Sequence, residues 1–206
     1  ILQQSFISVG NLFIQWLVNG YSWEVVGGYS AAMKLNNFVI VGLPAMGSAI
    51  SSFAAQNIGA GRNDRVMEGL KAGMKISVAV AIPFSLVFAL GGSLVMRLFV
   101  SGSEAGVIAA GALFLQVVTP FYALISLKLS ADGVLRGAGA MVPFMISTFS
   151  DLILRVVLAF IFSSMWGVIG IWMSWPVGWM IGTAASLLFV RAGVWKGKSR
   201  LISEKA

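Results

Sequence analysis

AGMKISVAVAIPFSLVFALGGSLVMRLF, residues 72–99, holds only two charges, Lys75 and Arg97, and both lie near its ends. About 20 predominantly apolar residues are what an α-helix needs to cross a hydrocarbon core. The run does not alternate polar with apolar residues, so a barrel strand is a poor description. Working outward, five more spans of this kind are delimited by Gly, Pro and charge clusters, at about 2–19, 29–56, 107–131, 143–164 and 168–190. The expected fold is all-α: a polytopic membrane bundle of six transmembrane helices over 1–190, with a basic cytoplasmic tail at 191–206.

Composition agrees. Of 206 residues, 58% are hydrophobic and 10% charged, and mean hydropathy is +0.92. Soluble domains carry about 25% charged residues. Six spans and their connectors leave no room for a folded soluble domain. With Cys 0 and His 0, disulfides, thiolate metal sites, a Cys nucleophile and a Ser-His-Asp triad are excluded, and no acid-base constellation suggests an enzyme. No cofactor is expected. The first residues, from Ile1, show no charged n-region, and an apolar helix at residue 1 suggests a chain cut from something longer.

The net charge of +7 is read by position. Connectors two and four and the tail hold ten basic residues, Arg62, Arg65, Lys71, Lys75, Arg136, Arg191, Lys196, Lys198, Arg200 and Lys205. Connectors one, three and five offer Arg97 with Glu24 and Glu104. Positive-inside asymmetry then puts both termini in the cytoplasm, in a cell inner (plasma) membrane. The charge reflects topology and attraction to anionic lipid, not nucleic-acid binding. Trp16, Trp23 and Trp166 fall at the outer interface and Trp195 at the inner one, as aromatic anchors. Pro44, Pro83, Pro120 and Pro176 lie inside spans and favour kinks. Gly69/Gly73, Gly133/Gly137 and Gly178/Gly182 are small pairs that allow close helix packing. Trp172, Trp175 and Trp179 form a stripe read as lipid-facing or packing surface. The glycine-rich run 56–62 lacks a Gly-Lys-Ser/Thr ending and follows a helix, so a C-cap explains it better than a phosphate loop.

Polar residues inside the spans are the candidate site. Gln4, Ser8, Asn11 and Gln15 share one helical face. Gln116, Thr119, Tyr122, Ser126 and Ser130 repeat the idea in span four, and Lys34, Asn36 and Asn37 in span two. Interhelical hydrogen-bond glue and the wall of a hydrophilic cavity are both open readings. Asp151 and Arg155, one turn apart near mid-membrane, are read as a functional or gating pair, the alternative being a self-satisfying pair that makes the helix insertable. Lys34 has no acid one turn away, so its partner must lie elsewhere. Lys128 and Asp132 are read as a boundary pair near the inner interface, where snorkelling is easy.

The stretches GYSAAMKLNNFVIVGLPAMGSAISSFAAQNIGAGRNDR (28–65), DGVLRGAGAMVPFMISTFSDLILRVVLAFIF (132–162) and GVIGIWMSWPVGWMIG (167–182) resemble the multidrug and toxic compound extrusion (MATE) transporters. They are similar to the eighth helix with its following loop and to the tenth to twelfth helices. The resemblance implies one lobe, the C-terminal one, of a two-lobe, twelve-helix antiporter. Such a protein exports drugs or organic cations in exchange for H+ or Na+ by alternating access, with a cavity shared with the missing N-terminal lobe. Coupling acids that one branch places near Ser8 and Val9 and near Ser126 are absent here. The alternatives are a lipid-linked precursor flippase of the same broad fold, whose more cationic cavity Lys34 and Arg155 would suit, and a channel or structural membrane subunit.

Overall fold

A computed structural model describes residues 2–40, 42–100 and 104–196, with side chains from Ser5 onward. The described chain is helical throughout: α1 (Leu2–Val18), α2 (Trp23–Ile40), α3 (Leu43–Gly59), α4 (Asn63–Phe99), α5 (Ala105–Val118), α6 (Tyr122–Gly137), α7 (Met141–Trp166) and α8 (Val168–Arg191). Among the described residues, five helical segments and not the expected six are long and apolar enough to cross a membrane: Trp23–Gly59, Asn63–Phe99, Ala105–Gly137, Met141–Trp166 and Val168–Arg191. α1 is a shorter apolar helix.

Two expected spans are each built from two helices, and proline explains both. Pro44 has no N–H and its ring crowds the carbonyl four residues back, so α2 stops at Ile40 and α3 begins at Leu43. The span also starts earlier than expected, at Trp23 instead of 29. Pro120 falls in a 3-10 turn, Thr119–Phe121, between α5 and α6. Pro83 and Pro176, in contrast, are absorbed within α4 and α8. α4 extends well before its apolar run, and its first turns carry the exposed Arg65, Glu68, Lys71 and Lys75. After α3, Gly61 at φ +70° ends the helix. The Arg62 amide donates to the Asn57 carbonyl at 2.8 Å, which is a glycine C-cap and leaves no phosphate cradle.

α6 is the most enclosed helix, packed by α3, α4, α7 and α8. Small residues make this possible: a Cβ at Gly133 would sit 2.5 Å from the Gly47 carbonyl oxygen, and one at Gly137 would collide with that of Ser51. α4 by contrast presents Ile76, Val80, Leu90, Leu94 and Leu98 outward, the side chains a lipid-facing surface favours.

Two apolar clusters fill the interior. In one, Tyr29 stacks on Trp172 at 5.0 Å, and Phe114 meets Trp172 and Trp175 edge-on. The tryptophan stripe is therefore packing surface; the lipid-facing alternative is excluded because all three indoles are buried. The second cluster joins Val66, Leu135, Ala138, Val190 and Trp195 at the end bearing the basic connectors. Trp195 is a correction: it is buried, its indole donating to the Val190 carbonyl at 3.0 Å, so it packs instead of anchoring at an interface. Trp16, Trp23 and Trp166 are exposed.

Candidate functional site

α7 carries Ser147, Thr148, Asp151 and Arg155 on its buried face. Arg155 donates through one terminal nitrogen to both oxygens of Asp151, at 3.2 and 3.3 Å. Its guanidinium lies over the Trp175 ring, 4.7 Å from the centroid, so the charge is held by a carboxylate and an aromatic face together. The expected i,i+4 pair forms, and it forms inside the bundle.

The second pair departs from expectation. Lys128 and Asp132 were expected at a snorkelling boundary, yet they are 3% and 2% exposed. Lys128 Nζ donates to Asp132 Oδ2 at 2.7 Å, and Asp132 Oδ1 accepts from Ser186 at 2.5 Å and Ser147 at 3.2 Å. Three donors from three helices surround one carboxylate. The reason is the burial of α6, which linear position could not reveal. Ser77 and Ser130 extend the polar interior at 3.3 Å.

α8 brings the two pairs together. Gly178, Gly182 and Ser186 are spaced i, i+4, i+8 along its inner face. A Cβ at Gly178 would lie 2.8 Å from Asp151 Oδ1; one at Gly182 would lie 2.7 Å from Lys128 Cε and 2.9 Å from Asp151 Cβ. The alternating series Asp132, Lys128, Asp151, Arg155 thus runs along a groove that only glycine leaves open. Spacing on α8 hinted at close packing, but not at which side chains would fill it.

The remaining candidates divide. Tyr122 and Ser126 are interior: Tyr122 Oη donates to Asn36 Oδ1 at 2.9 Å, and Ser126 Oγ to the Ala123 carbonyl at 2.7 Å. They are therefore not the wall of an open cavity. Asn36, not Asn37, makes the contact between α2 and α6. Asn37, Lys34 and Gln116 are exposed, and Asn11 and Gln15 half-buried. Gln15 donates to Asn19 at 2.8 Å. The Gln4 side chain lies outside the described residues. Among the described residues Lys34 has no ion-pair partner, and no cluster of three or more acids suited to a metal occurs.

Comparison with known proteins identifies the family. The MatE family profile matches residues 1–161. A probable multidrug resistance protein of Bacillus subtilis, YpnP, is 30% identical over 205 residues, 99% of this chain and 45% of that protein. A second, YoeA of the same organism, is 25% identical over 95% of this chain and 43% of its own length. The chain thus spans less than half the length of these curated relatives. Among solved structures, a MATE transporter in complex with MaL6 superposes with a TM-score of 0.85 at 21% identity, over 94% of this chain and 44% of the other. A MOP superfamily transporter from Pyrococcus furiosus superposes with a TM-score of 0.83 at 17% identity, over 91% and 42%. The helical order, the membrane-length segments and the family profile agree, and the chain belongs to the MatE family of membrane transporters.

Proposed function

We propose that this chain is the C-terminal half of a secondary transporter that exports drugs and other small amphiphiles in exchange for protons or sodium. The supporting observation is the polar surface its own packing leaves uncovered. α1 offers the exposed Ser8 and the half-buried Asn11 and Gln15, and α2 offers the exposed Ser30, Lys34 and Asn37. Hydrocarbon penalises such faces, so they suit a water-filled cavity or a second lobe. Alternating access between two repeats around a shared site would use them in turn. On this reading the basic connectors face the cytoplasm and the protein lies in the plasma membrane.

An organic cation would need a carboxylate wall. On this half both carboxylates deep in the spans, Asp132 and Asp151, are already paired with cations. The acid for such a cargo would then come from the other half.

The test is transport in sealed vesicles. The 206-residue chain alone should give no ion-gradient-driven efflux of a fluorescent amphiphile, because one lobe offers a half-site with nothing to rock against. Co-expression with an N-terminal lobe should restore it. Robust efflux by the chain alone would overturn the half-transporter reading in favour of a self-assembling channel or carrier.

A further inference from the structure

α2 and α3 present a line of uncovered polar side chains. Ser30, Lys34 and Asn37 are spaced i, i+4, i+7, and Ser48, Ser52 and Gln56 are spaced i, i+4, i+8; all six are exposed. Gly42, just before α3, has helical dihedrals, with φ −74° and ψ −31°. The Ser30 and Ser48 hydroxyls satisfy themselves on the carbonyls one turn back, Val26 and Pro44. Lys34 and Asn37 make no such local bond among the described residues. Lys34 lies about 16 Å of helix rise beyond Trp23, inside the membrane-length segment Trp23–Gly59. A lysine within such a segment is costly against lipid and marks a functional surface.

The electrostatics of the lobe give that surface a sign. Five described charges lie deep in the spans: Lys34, Lys128, Asp132, Asp151 and Arg155. Four cancel in two buried ion pairs. The uncompensated charge is the exposed ammonium of Lys34.

We propose that this α2–α3 face, with Lys34 as its cation, holds an anionic group of the transported molecule, a carboxylate or phosphate carried on an apolar body. An ammonium on a flexible stem is a compact three-donor charge that suits either group. Asn37 stands one turn away as a neutral donor, and the exposed Phe38 adds apolar surface beside them. This deepens the transporter reading and rests on it for its physiological meaning, while binding alone tests the site.

The experiment uses the full-length protein in mixed micelles and three fluorescent probes with one aromatic body. One bears a carboxylate, one an alkyl phosphate resembling a lipid headgroup, and one a quaternary ammonium. Binding is expected for at least one anionic probe, and which one separates a soluble acid from a lipid-like cargo. Lys34→Gln should weaken that binding at least about tenfold, the loss expected when one charge-assisted hydrogen bond is removed. Lys34→Arg should preserve most of it, and binding of the ammonium probe should not fall in either variant. The proposal is overturned if only the ammonium probe binds, if Lys34→Gln leaves anion binding unchanged, or if all probes weaken equally without rescue by arginine. Vesicle efflux is read separately: its absence for every probe refutes the transporter reading, whereas the micelle titration alone decides the anion site.

Discussion

Replacing Asp132 by Asn removes one charge from the most enclosed polar cluster of the chain. The carboxylate receives Lys128 at 2.7 Å, Ser186 at 2.5 Å and Ser147 at 3.2 Å. In Asp132→Asn the lysine, whose side chain is 4% exposed, keeps its charge and loses its counter-ion. Breaking a buried pair in this way costs about 3–5 kcal/mol. Lys128→Met is expected to cost less, about 2–3 kcal/mol, because two hydroxyl donors still hold the remaining carboxylate. The double variant removes both charges and should be destabilised by far less than the two single effects together, with a coupling energy of about 2–3 kcal/mol. The measurement is reversible unfolding of the full-length protein in mixed micelles, followed by tryptophan fluorescence. A loss of 3 kcal/mol is more than a hundredfold in the folded-to-unfolded ratio, well within reach of such a titration. A pair at a snorkelling boundary would contribute only about 0–1 kcal/mol. A single-variant cost in that range, or a cycle that closes within about 0.5 kcal/mol, would refute the buried-network argument.

Asp151→Asn and Arg155→Gln should each lower the folded yield or transport of the full-length protein, and the double variant should recover the yield. If the double variant also regains efflux, the pair is structural; if it folds and does not transport, the pair belongs to the working cycle. Topology is testable because the chain has no cysteine. Ser22→Cys and Ser164→Cys should react with an impermeant thiol reagent from outside intact cells and Arg62→Cys should not, and the reverse pattern would overturn the orientation drawn from the basic connectors.

Much of this was legible in the sequence because the membrane imposes local rules. A span must be apolar over its own length, so 72–99 and its counterparts announce themselves. Proline acts on its own helix, so breaks at Pro44 and Pro120 are readable, although Pro83 and Pro176 show that a neighbourhood can absorb the same residue. The Asp151–Arg155 pair was legible too, since i,i+4 contact is set by helix geometry. Glycine pairs foretold close packing for the same reason.

Burial is where local rules ended. Lys128–Asp132 has the same spacing as Asp151–Arg155, and nothing in the linear pattern says that both are enclosed. That was decided by α6 lying among α3, α4, α7 and α8, and by Ser147 and Ser186 arriving from two other helices to meet one carboxylate. Tyr122 and Ser126 could be read as hydrogen-bond glue or as cavity lining, and the packing turned them inward, whereas Lys34 and Asn37 kept an uncovered face. The sequence by itself determined where the apolar helical segments run and which residues share a side, since both follow from 1.5 Å and 3.6 residues of helix geometry, although five described segments and not six are of membrane-crossing length. Only the tertiary structure decided which sides are buried, because burial depends on the partner helix and no residue carries that information alone.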